Sequence, residues 1–335
     1  MVTLLIAAFA SSEAQAFDLQ AHRGGRGLAP ENTLAAFTKA LNLGVTTLEL
    51  DTVLTADGVV VISHDAVLNP NLTRGPDGAW LPAPGPAIRT LTLAQLKHYD
   101  VGRLKPGTRY ALAQPGQQAV DGERIPTLDE LFTLVEQRGD TQVRFNIETK
   151  ISPLQPDLTP QPQDFVEAVL AVIRQHGMEQ RVTLQSFDWR TLKVAQQLAP
   201  YLPRVHLSSQ QSAGNNVADP RWTDGLRLAD HGSVPRLVKA AGGTVWSPYF
   251  GDVTAESVKE AQMLGLPVVV WTVNEPAQID AMLALGVDGI ISDRPDRVRS
   301  AMAARGMALP EPAIPPADGR KRVPVAPRPG AKATE

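Results

Sequence analysis

The chain has 335 residues, of which 43% are hydrophobic and 20% are charged, and its formal net charge is −3 at pH 7. This composition is sufficient for a large buried core, and the slightly acidic balance argues against a nucleic-acid binder, which usually carries a basic surplus. The chain contains no cysteine, which excludes disulfides, thiolate metal sites and a cysteine nucleophile.

The first sixteen residues predict a signal peptide. Residues 2–10 form an apolar run that is too short to cross a bilayer as a helix, and Ala14-Gln15-Ala16 matches the small-residue pattern of a signal-peptidase site. No Lys or Arg precedes the run, and a buried first strand or helix is the alternative. We expect a cleaved signal and therefore a periplasmic or secreted protein.

The next segments predict a strand, a helix and a β-hairpin. FDLQAH is typical of a strand and ends at His22, where a glycine-containing loop begins. PENTLAAFTKALNLG has apolar side chains at helical spacing and a terminal glycine, which predicts a helix. A strand, a turn at Ala56-Asp57-Gly58 and a second strand then follow. Asp57 is therefore expected to be a turn residue and not a ligand.

Residues 66–124 interrupt this pattern. They contain many prolines and glycines, which break any long element, and one short helix is predicted from Thr92 to Tyr99. A stretch of this length without regular elements inside a compact domain is usually functional or an insertion. We expect a small insertion, at about 66–124, after the second strand of the main domain.

Strands and helices alternate regularly after residue 124. Further strands are predicted at 143–150, 181–187, 204–209, 244–249, 267–274 and 289–295, and further helices at 125–139, 164–177, 189–198, 234–241, 255–265, 276–286 and 295–304. The total is eight main strands, each followed by a helix, which predicts an α/β fold of the (β/α)₈ TIM-barrel type over residues 17–308. An open doubly wound sheet is the alternative, but the glycine fingerprint expected of its first turn does not follow.

Residues 309–335 are rich in proline, alanine and basic side chains. This composition predicts a disordered tail. Contact of the basic segment with an anionic surface is the alternative interpretation.

Acidic side chains are predicted to meet at the ends of two strands. Glu49 and Asp51 are two residues apart and so lie on one face of a strand, and Glu148 lies on the next strand of the barrel. Neighbouring acids repel each other unless a cation or a proton lies between them. Three carboxylates suit one hard divalent cation, Ca²⁺ or Mg²⁺, although zinc remains open because histidines are close.

Two histidines and two basic residues accompany these acids. His22-Arg23 ends the first strand, His64 ends the hairpin, and Lys150 ends the third strand. A guanidinium and an ammonium suit phosphate oxygens. His22 and His64 can supply the base and the acid that phosphodiester cleavage needs. The set predicts metal-assisted cleavage of a phosphodiester.

Other residues receive weaker interpretations. Polar residues that also lie at strand ends, without an assigned role, include Gln185, Asn274 and Asp293. The four remaining histidines are interpreted as structural: His98, His176, His206 and His231. Trp246 and Trp271 are equally consistent with plain packing and with an apolar wall for a substrate, and Trp271 is the candidate for substrate contact.

At these residues the chain resembles the glycerophosphodiester phosphodiesterase family. The matching segments are HRGGRGLAPENT, ELDTVLTADGVVVISHD, IPTLDEL, NIETK, LQSF, PVVVWTVN and GVDGIISDRPD. They occur in the family's order and extend over nearly all of residues 17–300. The HR and HD pairs with the intervening ExD are specific, whereas Thr52 stands where an aliphatic residue is more usual.

The resemblance implies a TIM barrel with a small insertion after the second strand. It implies a divalent metal on Glu49, Asp51 and Glu148, an acid–base pair on His22 and His64, and phosphate contacts from Arg23 and Lys150. Members of the family cleave glycerophosphodiesters such as glycerophosphocholine to glycerol 3-phosphate and an alcohol, and exported bacterial members are similar to this chain.

Two alternatives differ in function. One keeps the barrel and the metal but acts on lysophospholipids or phosphoinositides, as a phospholipase-type phosphodiesterase. The other is a periplasmic binding module for phosphodiesters, which would need neither histidine for proton transfer. We expect a small-molecule substrate, no nucleic-acid partner and no stable membrane insertion, and the sequence does not indicate an oligomeric state.

Overall fold

The computed structural model describes residues 16–313. The predicted signal peptide, apart from Ala16, and the predicted tail from residue 314 onward lie outside the described residues. Within the described range, no helix has both the length and the apolar character needed to cross a membrane.

The described strands form one sheet that curves into a barrel. They are β1 (Asp18–Ala21), β2 (Thr47–Leu54), β3 (Val60–Ile62), β4 (Arg144–Thr149), β5 (Val182–Ser186), β6 (Arg204–Ser208), β7 (Val245–Pro248), β8 (Val269–Val270) and β9 (Gly289–Ser292). Eight strands follow the order β7-β6-β5-β4-β2-β1-β9-β8, and the pairings along this order are parallel, while β3 pairs antiparallel with β2. The predicted (β/α)₈ barrel is confirmed, and the open doubly wound alternative is wrong.

The barrel closes between β7 and β8 through isolated bridges. Trp246 donates its backbone N–H to the Pro267 carbonyl at 3.0 Å, and Trp271 donates to the Pro248 carbonyl at 3.2 Å. The two prolines have no N–H and cannot donate to the ladder themselves, which limits regular pairing at this seam. The strand predicted at 267–274 is therefore much shorter in the structure, where β8 contains only Val269 and Val270.

Helices surround the strands on the outside. Within the described residues they are α1 (Leu34–Leu43), α2 (Leu93–Leu96), α3 (Arg109–Leu112), α4 (Leu128–Gln137), α5 (Pro162–Gln175), α6 (Trp189–Leu198), α7 (Leu228–His231), α8 (Val234–Ala240), α9 (Ala255–Met263), α10 (Pro276–Ala284) and α11 (Pro295–Ala304). Thr127 and Glu130 form a capping box at the start of α4. The helix predicted from Thr92 to Tyr99 ends at Leu96, and α3 and α7 were not predicted because a single turn shows no periodicity.

Two apolar clusters hold the molecule together. The larger one joins the strands to the surrounding helices and includes the fully buried rings of Phe37, Phe132 and Phe145. Phe132 on α4 and Phe145 on β4 contact edge to face, with ring centroids 4.8 Å apart. This cluster makes the barrel a packed core and fixes the strand ends that carry the polar residues.

The second apolar cluster lies under the segment that follows β3. It combines Val53 and Val61 of the hairpin with Leu68, Ile88 and Leu96 of the segment. The hairpin turn is connected to α2 as well, because the Asp57 carboxylate accepts hydrogen bonds from the Thr55 hydroxyl and the Leu93 N–H. Asp57 is thus a turn residue, as predicted.

Candidate active site

Three carboxylates form a buried cluster on β2 and β4. These strands pair in parallel with Asp51 opposite Glu148, and Glu49 lies two residues before Asp51 on the same face. One oxygen from each side chain lies within 4.8 Å of the others, and the three residues are 2%, 1% and 6% exposed in chain order. The strand register therefore gathers the three predicted metal-binding residues at one point.

Burial and mutual repulsion shift the pKa values in this cluster. Burial raises the pKa of Glu148 to about 7, with a further increase from the charge of Asp51 and an opposing effect of Lys150. Burial, and then the charge of Asp51, also raises the pKa of Glu49. Burial would raise the pKa of Asp51 too, but the nearby Arg23 guanidinium brings it below its usual range. Asp51 thus stays ionised most readily.

The cluster fits a divalent cation. Calcium binds oxygens at about 2.3–2.6 Å, so two oxygens on one ion lie up to about 5 Å apart, in agreement with the 4.8 Å spread of the cluster. A donor set made only of oxygens suits hard cations. The Lys150 amine lies 2.8 Å from Glu148 Oε1 and 3.7 Å from Asp51 Oδ1 and offsets part of the negative charge.

Neutral donors orient the carboxylates. Gln185 on β5 donates to Glu49 Oε1 at 2.6 Å, and the backbone N–H of Arg23 donates to Glu49 Oε2 at 2.8 Å. The Asn32 amide donates to Asp51 Oδ2 at 3.0 Å. Because these bonds come from β5 on one side and from the connection between β1 and α1 on the other, the carboxylates are held from two sides.

Arg23 lies buried among acids. Its Nη1 donates to Glu31 Oε1 at 2.8 Å, and its Nε lies 3.2 Å from Asp51 Oδ2 without hydrogen-bond geometry. The backbone here is left-handed, with φ 51° at Arg23 and 80° at Gly24, where a Cβ would approach the Cβ of Ala36 to 2.8 Å. This turn directs Arg23 towards the carboxylates, and its contact with phosphate stays a prediction.

His22 is held by a carboxylate on the last strand end. Its Nδ1 contacts Asp293 Oδ1, and since an ionised carboxylate only accepts, Nδ1 carries the proton and Nε2 is left as an acceptor. Asp293 also accepts from Arg26 Nε at 2.8 Å and from Asn274 Nδ2 at 2.9 Å. Burial lowers the pKa of His22 to about 4, against the opposing effect of Asp293.

His64 is held in a similar way. Its Nδ1 lies 2.8 Å from Asp65 Oδ1, and Asp65 also accepts from the Asn69 amide at 2.7 Å. Burial lowers the pKa of His64, and the charges of Arg23 and Lys150 add to this effect. Both predicted histidines therefore pair through Nδ1 with a carboxylate that fixes the ring.

One cavity of about 210 Å³ connects these groups. The predicted site residues that line it are His22, Arg23, Glu49, His64, Glu148, Lys150 and Trp271. Trp271 and Phe187 form an aromatic wall, with ring centroids 5.2 Å apart, and the Trp271 indole donates to the Ser247 carbonyl at 3.0 Å. Trp271 therefore borders the site.

Asp51, Trp246 and the four histidines interpreted as structural do not line this cavity, whereas Gln185, which had no assigned role, does. Trp246 is buried and donates to the Ser208 hydroxyl at 2.9 Å. His176 contacts Asp129 and Glu136 on the outside of α4, and His206 packs edge to face against Trp189. These contacts agree with their interpretation as structural residues.

Several residues at the site were missed or received no role. Asp293 was noted at a strand end but not linked to His22. Tyr110 donates to Glu31, and Gln114 donates to Asp293 Oδ2 at 3.0 Å. Glu31 lies in the HRGGRGLAPENT motif, which could have identified it, whereas Tyr110 and Gln114 lie in the 66–124 segment, where no spacing pattern marks them.

The chemistry that this cavity permits follows from its groups. Acceptor nitrogens can move protons, the carboxylates can hold a cation, and basic side chains can bind an anion. The site lies at the carboxyl ends of the strands, where barrel enzymes carry their active sites, and its groups are those of a hydrolase that acts on phosphate esters.

Comparison with known proteins identifies the family. Residues 22–297 match the model of the glycerophosphoryl diester phosphodiesterase family. A glycerophosphodiester phosphodiesterase from Caldanaerobacter subterraneus subsp. tengcongensis is 31% identical over 82% of this chain and 93% of its own length. The chain belongs to the glycerophosphoryl diester phosphodiesterase family, and its enzyme class is that of the phosphoric diester hydrolases.

Solved structures agree with this assignment. A Silicibacter pomeroyi protein described as a glycerophosphoryl diester phosphodiesterase has a TM-score of 0.80 and 38% identity, and the match covers 88% of this chain and 96% of that one. An Oleispira antarctica phosphodiesterase, solved with the product sn-glycerol-3-phosphate, has a TM-score of 0.62 and 26% identity, with coverage of 85% and 96%.

Proposed function

We propose that this protein hydrolyses glycerophosphodiesters to glycerol 3-phosphate and an alcohol, with a divalent cation and two histidines as acid and base. The observation that carries the proposal is that two carboxylate-bound histidines line one cavity together with Glu49 and Glu148 of the acidic cluster. The product bound to the Oleispira antarctica relative supports the choice of substrate class.

Phosphate binding is assigned to the basic residues and the metal site. Lys150 and Arg23 lie at the cavity beside Glu148 and Glu49 and would contact the phosphoryl oxygens. Glu49, Asp51 and Glu148 would hold the cation, Ca²⁺ or Mg²⁺, which would supply polarisation of a phosphoryl oxygen. Gln185 and Asn32 keep the carboxylates oriented towards that position.

Proton transfer is divided between the two histidines. His22 is the base, because its pKa of about 4 keeps Nε2 unprotonated at neutral pH, so that it can take the proton of the attacking hydroxyl. His64 is the acid that protonates the departing alkoxide. Burial lowers the pKa of His64 even with Asp65 beside it, and the negative charge of a bound diester would raise this pKa and favour the protonated form.

The proposal is tested by measuring glycerol 3-phosphate release from glycerophosphocholine. We expect release with Ca²⁺ or Mg²⁺, loss of release on chelation with EDTA and recovery on adding the cation back. The His22→Ala and His64→Ala variants should each lose at least about a hundredfold in kcat. Full activity in the presence of EDTA would contradict the proposed metal dependence. Full activity in either variant would contradict the assignment of the two histidines as acid and base.

A further inference from the structure

A large groove extends outward from the catalytic cavity. Its volume is about 650 Å³, against about 210 Å³ for the cavity. The residues that line both are His64, Glu148, Lys150, Phe187 and Trp271. The groove therefore begins beside the histidine assigned as the acid, where the departing alcohol separates from phosphorus.

Apolar side chains from different loops face this groove. Ile151 and Leu154 come from the segment after β4, and Trp222 comes from the long connection between β6 and α7. Leu154 is 51% exposed, and Trp222 is part-exposed. With Phe187 and Trp271 at the inner end, they provide apolar and aromatic surface that a ligand of matching size would remove from water.

The groove is polar but has little uncompensated charge. Asn215 lines the groove together with Trp222. Each of the three carboxylates in the lining has a basic neighbour: Asp65 pairs with His64, Glu148 with Lys150 and Asp219 with Arg221. Lys150 is the one basic side chain among the described residues that line the groove, apart from His64, and it already contacts Glu148. A second phosphate would therefore find no further cation, and an acyl chain would cover polar groups without replacing their hydrogen bonds.

We propose that this groove is the subsite for the departing alcohol, and that it selects uncharged alcohols larger than glycerol that combine an apolar face with several hydroxyls, as cyclic polyols do. The inference rests on the proposed function. The ring of such an alcohol packs against Trp222 and Leu154, and its hydroxyls bond to Asn215 and Asp219. The attacking hydroxyl forms the new P–O bond, the old P–O bond breaks with its electron pair on the alcohol oxygen, and His64 gives that oxygen its proton.

The test compares kcat/KM for glycerophosphoinositol and glycerophosphoethanolamine, which differ only in the alcohol. We expect the unmodified protein to prefer glycerophosphoinositol, and Trp222→Ala to reduce the ratio by roughly three- to tenfold, as expected for the loss of one aromatic contact. Trp80→Ala is the matched control, because Trp80 is also part-exposed but lies outside the groove, and it should leave the ratio unchanged.

Leu154→Ser is a second groove variant, at an exposed position where the substitution leaves folding intact. It should also lower the ratio of kcat/KM for glycerophosphoinositol to that for glycerophosphoethanolamine. Equal kcat/KM for the two substrates, or a ratio unchanged in both groove variants, would overturn the inference. A higher kcat/KM for lysophosphatidylcholine than for either diester, reduced in Trp222→Ala, would also overturn the inference. It would show that the groove binds an acyl chain.

Calorimetric binding of free myo-inositol tests the groove without turnover. We expect Trp222→Ala to weaken this binding, and unchanged binding would count against the subsite. If neither diester releases glycerol 3-phosphate, the proposed function fails, while inositol binding still decides whether the groove takes a polyol.

Discussion

Asp293 shows how much of the site depends on a single buried carboxylate. It accepts hydrogen bonds from the side chains of His22, Arg26, Gln114 and Asn274. These donors come from separate parts of the chain, so the carboxylate has a defined orientation and fixes the tautomer of His22. We interpret Asp293 as a positioning residue that acts through His22.

Asp293→Asn is expected to lower kcat by about a hundredfold or more, because the amide no longer holds His22 as the Nδ1–H tautomer. KM should change much less, since Asp293 does not line the cavity. Steady-state kinetics on glycerophosphocholine measure both. Asp296→Asn is the control, because its carboxylate pairs with Arg294; equal kcat in the two variants would count against the positioning role.

Metal affinity is expected to depend on pH through Glu148. Its pKa of about 7 means that a proton competes with the cation at lower pH. Affinity for Ca²⁺ or Mg²⁺ should therefore be roughly tenfold weaker at pH 6 than at pH 8, as calorimetric titration can show. In Glu148→Gln, binding should be weak at both pH values; an affinity independent of pH in the unmodified protein would contradict the assignment.

The raised pKa of Glu148 also makes the stability of the ion-free protein depend on pH. Glu148 has a higher pKa in the folded protein than its ordinary value of 4.5, so the native state binds this proton more tightly than the unfolded chain does. The stability that this proton contributes is complete below about pH 4.5 and is lost as the pH rises through about 7.

Residue types and spacings predicted the acids and both histidines, because Glu49 and Asp51 follow strand periodicity and the HR and HD pairs end strands. The hydrogen-bond network could not be predicted in this way. Gln114 meets Asp293 across 179 positions of sequence, and no local pattern encodes such a contact. Which ring nitrogen of His22 is free depends on its contact with Asp293. This contact also became evident only from the structure.

The short helix α3 connects the 66–124 segment to the loop after β1. Its Tyr110 donates to Glu31 and accepts from Arg23 and Arg26 at 3.4 and 3.2 Å. Tyr110→Phe would remove the hydroxyl that these three side chains share, while the Arg23–Glu31 hydrogen bond remains. The substitution should lower the free energy of unfolding by about 1–3 kcal/mol. Urea unfolding measures the loss.

Tyr201→Phe provides the comparison, because Tyr201 is exposed on the outside of the barrel and its variant should unfold at the midpoint of the unmodified protein. Identical midpoints for both variants would show that α3 does not stabilise the loop after β1.

Elements with periodicity and end signals were predictable from sequence. Helices α6 and α11 have the predicted bounds, and Thr127 caps α4. Elements that depend on tertiary contacts differ from the predictions made from the sequence. Helix α3 is a single turn with Tyr110 bonded to a distant loop, and β8 is short because its neighbouring prolines limit pairing with β7.

At the scale of the whole barrel, the carboxylate cluster and the seam between β7 and β8 lie on opposite sides. In the order β7-β6-β5-β4-β2-β1-β9-β8, the β2–β4 pair that carries the carboxylates is three strands from β7 in one direction and three from β8 in the other. The continuous register of β2 and β4 from Thr47 to Thr52 contrasts with the isolated bridges at the seam.

The proline-flanked seam gives the protein a place to open without separating the three carboxylates of the cluster. Amide hydrogen exchange should therefore be faster at Val269 and Val270 than at Leu48 and Leu50, because local opening begins where backbone pairing is weakest. Trp271 lies at this seam and borders the departing-alcohol groove. Seam opening would thus loosen this aromatic wall while the carboxylates stay together, so that, under the proposed function, the departing alcohol would leave without disturbing a cation held by the cluster.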